Sequence, residues 1–257
     1  MKYKAFSIKD LHIKDSFKFY FKIFSKAIDI IFPPKCLFCQ KIILDHLTIC
    51  SDCFKEIEFV GKNKCKRCAV PLKYDYGEEI ECARCIESSP VYNKLHAIFY
   101  YGDYLKEAVH KFKYTDKTSY SKFFSTYMVR SISNEFKNFD YLTYVPLHYL
   151  KIIKRKYNQS NLLARNVSRL INMPVIHALK RVKNTVPQNN LKYTERQINV
   201  KDVFVFNKKI SNKIKGKNIL LIDDVVTTGS TVNECAKILI EAGANSVSVL
   251  CIARAYV

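Results

Sequence analysis

The stretch NILLIDDVVTTGSTVNECAKIL, residues 218–239, predicts a buried strand, a short loop and a helix. Its apolar first half is typical of a strand inside a parallel sheet, and it delivers Asp223 and Asp224 to the carboxyl end of that strand. Parallel sheets bind ligands beyond the carboxyl ends of their strands. The start of a helix offers unpaired N–H groups and the positive end of the helix dipole. We therefore expect an anion site immediately after Asp224.

The loop that follows has the chemistry of a phosphate site. Its five residues are Thr227, Thr228, Gly229, Ser230 and Thr231. The hydroxyls add donors, and glycine lets the backbone approach a phosphate closely. Asp223 and Asp224 suit ribose hydroxyls or the hydration shell of Mg²⁺. Together these groups describe a site for a ribose 5-phosphate. Thr231 and Glu234 also match a capping box, which predicts a structural role for part of the motif.

A strand that ends in two aspartates also occurs in nucleotide triphosphatases, beside a glycine-rich P-loop. That loop requires two glycines five positions apart, followed by lysine. The six glycines stand at positions 61, 77, 102, 216, 229 and 243, and no two of them have this spacing. An ordinary P-loop enzyme is therefore not expected.

Strands and helices alternate on both sides of this motif. Strands are expected at 97–101, 141–146, 203–206, 218–223 and 246–253, and helices at 104–113, 120–132, 160–171 and 232–242. Such alternation indicates an α/β fold, with a largely parallel sheet flanked by helices. The strands 141–146 and 218–223 are then expected to end at one crevice.

Four C-x-x-C pairs precede this region. They are Cys36/Cys39, Cys50/Cys53, Cys65/Cys68 and Cys82/Cys85. Gaps of ten and thirteen residues separate the pairs within each half, which suits two zinc ribbons of four thiolates each. Sequential pairing is favoured, and a crossed pairing stays open. A redox C-x-x-C expects a single pair at the start of a helix, so it fits poorly. Cys235 and Cys251 are expected to be buried apolar residues.

Composition sets the class of the protein. In 257 residues, 48% are hydrophobic and 26% charged, which excludes a disordered chain. No apolar run reaches the roughly 18 residues of a transmembrane span, and no signal peptide is evident, so a cytoplasmic location is expected. The net charge is +20. Residues 93–257 hold 27 basic and 11 acidic residues, a field that favours phosphates or nucleic acid. A lysine-rich composition without any such partner is the alternative.

The change of pattern after Tyr92 predicts three regions. Residues 1–32 contain an amphipathic helix at 15–32, which either packs on its own domain or meets a membrane surface or partner. Residues 33–92 form the zinc-ribbon domain, and residues 93–257 form the α/β domain. Because the cysteine region holds little apolar sequence, it needs metal as a staple.

LLIDDVVTTGST closely resembles the diphosphate-sugar motif of type I phosphoribosyltransferases. The resemblance implies that Asp223 and Asp224 bind the ribose hydroxyls of phosphoribosyl diphosphate (PRPP), together with Mg²⁺. It implies that residues 227–231 cradle the 5-phosphate. From Phe32 onward the chain also resembles the ComF family of competence-associated proteins, through FPPKCLFC (32–39), AIFYYGDYLKEAVHKFKY (97–114), VPLHYLKIIKRKYNQS (145–160) and VPQNNLKYTERQINVKDVF (186–204).

The candidate diphosphate contacts are Pro146, Leu147, Lys113, Arg155 and Arg196. The chain departs from the family pattern at Lys156, where the family usually has glycine. That change is expected to alter the loop after the first strand of the phosphoribosyltransferase pattern, which in related enzymes meets diphosphate, and it weakens the case for Arg155.

The resemblance implies a role in DNA uptake during natural transformation. Two functions follow. One is a PRPP-binding factor that contacts single-stranded DNA and DNA-uptake proteins, through its charge and its tyrosines. The other is an active phosphoribosyltransferase with a base or amine acceptor. No catalytic residue and no acceptor pocket are evident in the sequence.

Overall fold

The computed structural model describes residues 29, 32–46, 48–74, 80–114, 119–183 and 202–256. The proposed amphipathic helix at 15–32 falls almost wholly outside these ranges, and so does Arg196. Within them, the chain divides into one compact unit that ends at Cys50 and another that begins at Ser51. The predicted boundary after Tyr92, between a zinc-ribbon domain and an α/β domain, rests on the change in sequence pattern and stays a prediction. No helix of the described residues is long and apolar enough to cross a membrane.

The secondary structure is as follows. The helices are α1 (Ser51–Glu56), α2 (Ala83–Glu87), α3 (Asp103–Tyr114), α4 (Ser119–Ser131), α5 (Tyr149–Arg155), α6 (Gln159–Ile171), α7 (Ser211–Ile214) and α8 (Ser230–Glu241), with 3-10 turns at Phe136–Asn138 and Lys208–Ile210. The strands are β1 (Leu95–Tyr100), β2 (Tyr141–Tyr144), β3 (Leu179–Arg181), β4 (Phe204–Phe206), β5 (Asn218–Val226) and β6 (Ser246–Arg254).

Four strands form a parallel sheet in the order β1-β6-β5-β2. The two long central strands are almost entirely buried, with Leu221 paired to Val249 in the middle of the sheet. Continuous apolar runs of this kind are what a parallel sheet covered on both faces requires. The α/β fold predicted from the alternating pattern is confirmed. Since β2 pairs with β5 in parallel, both strands end at the same edge of the sheet.

The remaining strands form a separate antiparallel pair, in which Leu179 of β3 lies opposite Phe206 of β4. The strand expected at 203–206 therefore exists, but outside the parallel sheet. Neither β3 nor α5 was expected from the sequence, because each is too short to show a clear period.

Helix α8 packs its apolar face against the sheet. Cys235, Ala236 and Leu239 are fully buried there, in one core with residues of β5 and β6. Cys251 on β6 is buried as well. Both cysteines outside the four pairs thus have the packing role that the sequence predicted. This packing fixes the first turn of α8 beside the end of β5.

Candidate functional site

Asp223 and Asp224 are the sixth and seventh of the nine residues of β5, which continues to Val226 beyond the predicted end at Asp223, and the two carboxylates differ in exposure. Asp223 is buried, and its Oδ1 accepts hydrogen bonds from the Ser160 hydroxyl at 3.0 Å and from the Asp224 N–H at 2.9 Å. Burial raises the pKa of Asp223 to about 7, and the neighbouring charge of Asp224 adds to the shift. At neutral pH this carboxyl therefore alternates between an acceptor and a donor of hydrogen bonds.

Asp224 is held by a lysine from another element. Its Oδ2 lies 2.9 Å from Nζ of Lys113, near the end of α3. Burial lowers the pKa of Lys113, but the charge and hydrogen bond of Asp224 outweigh it and leave that pKa raised. Lys113 is thus a charged partner of the acidic pair, and it also lines the cavity described below.

The loop between β5 and α8 has the geometry of a phosphate cradle. Gly229 is the N-cap of α8 and has φ +85°, a left-handed conformation that glycine adopts without strain. The helix begins at Ser230, whose backbone N–H and hydroxyl both lie close to the Thr228 hydroxyl, at 3.4 and 2.9 Å. The capping-box interpretation of Thr231 was wrong, because Gly229 is the N-cap and Thr231 already lies inside the helix.

These groups open onto a cavity of about 510 Å³ at the carboxyl edge of the sheet. The expected residues that line it are Lys113, Pro146, Leu147, Arg155, Asp223, Asp224, Thr227, Thr228, Gly229, Ser230 and Thr231. The ends of β2 and β5 therefore share one crevice, as the order of elements predicted. Arg196 lies outside the described residues.

Further cations converge on the same cavity. Lys151 and Arg155 come from α5, and Arg181 comes from β3. Burial lowers the pKa of Lys151, and the charges of Arg181 and Arg155 lower it further. Burial also lowers the pKa of Arg181. A cavity that crowds like charges favours an anionic ligand of more than one charge.

Residues 155–160 tie α3 to this cavity through a series of side-chain contacts. Arg155 donates to the Tyr114 hydroxyl at 2.9 Å and lies over its ring. Tyr157 donates to the Phe112 carbonyl, and Gln159 donates to the Lys113 carbonyl at 3.2 Å. The hydroxyl of Ser160 completes the series at Asp223.

Lys156 explains why glycine suits this loop. It follows α5 and has φ +65°, in the left-handed region that L side chains rarely adopt. The chain makes the turn that glycine would make, at a cost in backbone strain. Arg155, the last residue of α5, lines the cavity, and the altered loop expected from Lys156 stays a prediction.

Sequence reasoning missed several residues of this cavity. They are Tyr101, Lys106, His110, Tyr114, Lys151, Ser160 and Arg181. Tyr101, Lys106, His110, Tyr114, Lys151 and Ser160 stand inside segments that resemble the ComF family, so a closer comparison could have found them. Arg181 had no signal, since it stands on a three-residue strand.

The eight paired cysteines form two clusters. The sulfur atoms of Cys36, Cys39, Cys50 and Cys53 lie within 4.8 Å of one another, and so do those of Cys65, Cys68, Cys82 and Cys85. Sequential pairing is therefore confirmed, and the crossed alternative is wrong. Four converging thiols are the donor set of a structural zinc site. Two such sites fit two zinc ions.

The two clusters are built on the same local turn. In each, the residue after the second cysteine adopts a left-handed conformation, Gln40 at φ +64° and Ala69 at φ +55°. In each, the N–H of the third cysteine donates to the sulfur of the first, at 3.3 Å. The Cys68 side chain and backbone N–H groups lower the pKa of Cys65 to about 4, against the effect of its burial. A thiolate favoured in this way is ready to bind metal.

Comparison with family models identifies both parts. Residues 27–86 match the model described as a double zinc ribbon domain, and residues 125–255 match the model described as a phosphoribosyl transferase domain. The latter covers just over half of the chain. The chain belongs to the phosphoribosyl transferase domain family. The β5–α8 loop described above lies within the residues that this model matches.

Curated relatives match most of the length of this phosphoribosyl transferase domain protein. The DNA utilization protein YhgH of Escherichia coli is 28% identical over 229 residues, which cover 86% of this chain and 97% of the relative. Competence protein F of Haemophilus influenzae is 28% identical over 228 residues, with the same coverage. Competence protein ComFC of Bacillus subtilis is 28% identical over 202 residues, covering 76% of this chain and 79% of its own. The resemblance to the ComF family is therefore confirmed.

Proposed function

We propose that this member of the phosphoribosyl transferase domain family binds PRPP with Mg²⁺, and that it acts in DNA uptake. The observation that carries the ligand is the loop at the end of β5, where a glycine in the left-handed region and a helix start lie beside two carboxylates. The names of the relatives support the DNA-related role. A cytoplasmic location remains our expectation.

In this proposal each end of the ligand meets a different part of the cavity. The 5-phosphate lies against the N–H groups and hydroxyls of residues 227–231. The ribose hydroxyls donate to Asp224, which shares its second oxygen with Lys113. The diphosphate lies toward Pro146 and Leu147, within reach of the cations of α5. Mg²⁺ neutralises part of the diphosphate charge when the ligand binds.

Calorimetric titration of PRPP with Mg²⁺ into the zinc-loaded chain tests this assignment. We expect Asp224→Asn to weaken binding at least tenfold, since a neutral amide is a poorer acceptor for hydroxyls. Asp140→Asn is the matched control, because Asp140 is bonded to Lys217 and Asn218 and does not line the cavity. Equal affinity of Asp224→Asn and wild type would refute the ribose assignment. Thr228→Ala tests the phosphate loop if Asp224→Asn fails to fold.

Single-stranded DNA contact is proposed at a second cleft of about 880 Å³. Its cationic side chains are Lys62, Lys64, Lys66, Arg67, Lys94 and Arg130. Two glutamates offset part of this charge, Glu81 beside Arg67 and Glu135 beside Lys94. The rings of Phe59 and Tyr127 lie 6.0 Å apart at the same cleft, and aromatic faces beside cations suit unpaired bases.

Fluorescence anisotropy with a labelled single strand tests this contact across a salt series. Replacing Lys62, Lys64 and Lys66 by glutamine should make the slope of log K against log salt concentration less steep, by about 0.7 for each phosphate contact that is lost. The control replaces Lys208, Lys209 and Lys213, which do not line the cleft. A slope unchanged in the first variant would refute the cleft as the contact site.

The transferase alternative has support from aromatic groups in the PRPP cavity. His110 and Tyr114 pack with ring centroids 4.7 Å apart, and both line the cavity together with Tyr101. Such faces suit a planar base as acceptor. Release of diphosphate only when a base or amine is added would establish the transferase. Release at the same rate without any acceptor would refute it.

A further inference from the structure

Arg254 is the largest fully buried side chain among the described residues, and it joins two sites. It stands at the end of β6 and is 2% exposed. Its Nε donates to the carbonyl of Cys68 at 2.9 Å. Its Nη1 donates to the carbonyls of Val226, at 3.2 Å, and of Thr227. One guanidinium therefore bonds the backbone of a cysteine ligand and the first residues of the phosphate loop.

Two further contacts join the same parts. Tyr92 is buried, and its hydroxyl lies 3.5 Å from the position that a Cβ on Gly229 would take. The Val91 N–H donates to Oδ1 of Asn233, in the first turns of α8, at 2.7 Å. The chain that leaves the second cysteine cluster thus packs directly behind the phosphate loop. Val91 and Tyr92 follow the last cysteine of the cluster, whereas Arg254 bonds the backbone of Cys68, a cysteine of the cluster itself.

The charges of the groups on either side of Arg254 favour its position. Four thiolates with one zinc ion carry a net charge of −2, and a bound phosphate is also an anion. Arg254 is a buried cation between them, and such a charge persists only where its donors are satisfied. Since the guanidinium is planar and rigid, it holds the carbonyl groups of Cys68, Val226 and Thr227 in one fixed arrangement.

We propose that Arg254 positions the phosphate loop against the second cysteine cluster, so that metal binding at the cluster and phosphate binding at the loop strengthen each other. Coupling of this kind is reciprocal. The first part of the proposal, the metal half, is that metal at the cluster orders the loop, and it concerns only residues of this chain. The second part, the ligand half, is that phosphate at the loop stabilises metal at the cluster, and it rests on the proposed PRPP site.

Hydrogen exchange of the loop amides, read by mass spectrometry on residues 226–232 of the full chain, tests the metal half without any ligand. Cys65→Ser removes the second metal, and we expect exchange to quicken at least tenfold. In an Arg254→Lys background, the same change should alter exchange less than threefold, because the hydrogen bond from the guanidinium to the Cys68 carbonyl is already lost, and the contacts of Val91 and Tyr92 come from residues outside the cluster. Cys36→Ser, which removes the other metal, is the control and should leave the loop unchanged.

The cycle of variants separates coupling from simple loss of structure. Equal effects of Cys65→Ser in both backgrounds, or no effect in the wild type, would overturn the proposal. Circular dichroism and metal analysis establish that each variant is folded and holds the expected number of zinc ions.

Zinc release to a colorimetric chelator tests the ligand half and needs only the wild-type chain. Saturating PRPP with Mg²⁺ should slow one of the two release phases at least fivefold. Unchanged release under PRPP that calorimetry shows to be bound would overturn the coupling. If PRPP does not bind, the proposed function fails, and the exchange experiment still decides the role of Arg254.

Discussion

Replacing Asp223 with asparagine should stabilise the fold by an amount that grows with pH. Asp223 is buried within β5, three residues before the strand ends, and burial raises the pKa of its carboxyl to about 7. In the unfolded chain the same carboxyl titrates near 3.8. Between these values the folded protein binds a proton that the unfolded chain has released, so wild-type stability falls as pH rises. Asparagine keeps the acceptor for Ser160 and has no charge to desolvate.

The magnitude follows from the two pKa values. A shift of one unit is about 1.4 kcal/mol, so the full difference across the window is about 4 kcal/mol. Between pH 5 and pH 8 the wild type should lose about 2–3 kcal/mol relative to Asp223→Asn, with no further change above pH 8. The same variant should lose PRPP affinity, so stability and binding move in opposite directions.

Urea unfolding at pH 5 and pH 8 measures the difference directly. Asp140→Asn is the matched control, because the N–H of Asn218 and the ammonium of Lys217 lower the pKa of Asp140 and keep it ionised at both pH values. The free energy of unfolding of Asp140→Asn should therefore differ from that of the wild type by the same amount at pH 5 and pH 8. An Asp223→Asn difference that is equal at the two pH values would refute the inference that this carboxyl is protonated near neutrality.

Three further predictions follow from the backbone and the metal clusters. Metal analysis of untagged protein should find about two zinc ions per chain, and Cys65→Ser should lose about one; a folded wild type without zinc would refute both clusters. Lys156→Gly should raise the free energy of unfolding by about 1 kcal/mol, since it relieves a left-handed φ, and an unchanged urea midpoint would contradict this. Gly229→Ala should cost about 1 kcal/mol through backbone strain alone, because its Cβ meets Tyr92 only at 3.5 Å; a neutral effect would show that the loop relaxes.

The elements that sequence predicted well are those whose signal is local and repeated. The strand at 218–223 and the helix after it were expected because a long apolar run, two aspartates and a glycine stand in succession. The cysteine clusters were expected because metal geometry restricts the spacing of ligands. The sheet then followed from the alternation of strands and helices.

The features that sequence missed depend on partners far along the chain. No sequence feature near Asp224 predicts its ion pair with Lys113, which lies far away along the chain. Arg181 reaches the cavity only because β3 pairs with β4. The helix α8 begins at Ser230, earlier than predicted. The sequence offers two N-cap signals here, Gly229 and the spacing of Thr231 and Glu234, and it does not show which of them the helix uses.

The strand order also sets a sequence of events during synthesis. Strand β6 lies between β1 and β5, yet the ribosome makes it after both. Strands β1 and β5 cannot pair with β6 until residues 246–254 have been translated. The cysteine turns, in contrast, need only nearby residues and metal to form. A nascent chain can thus acquire zinc well before its sheet closes. Arg254 joins the sheet with the end of β6, when one of its carbonyl partners, that of Cys68, can already be held in a metallated turn.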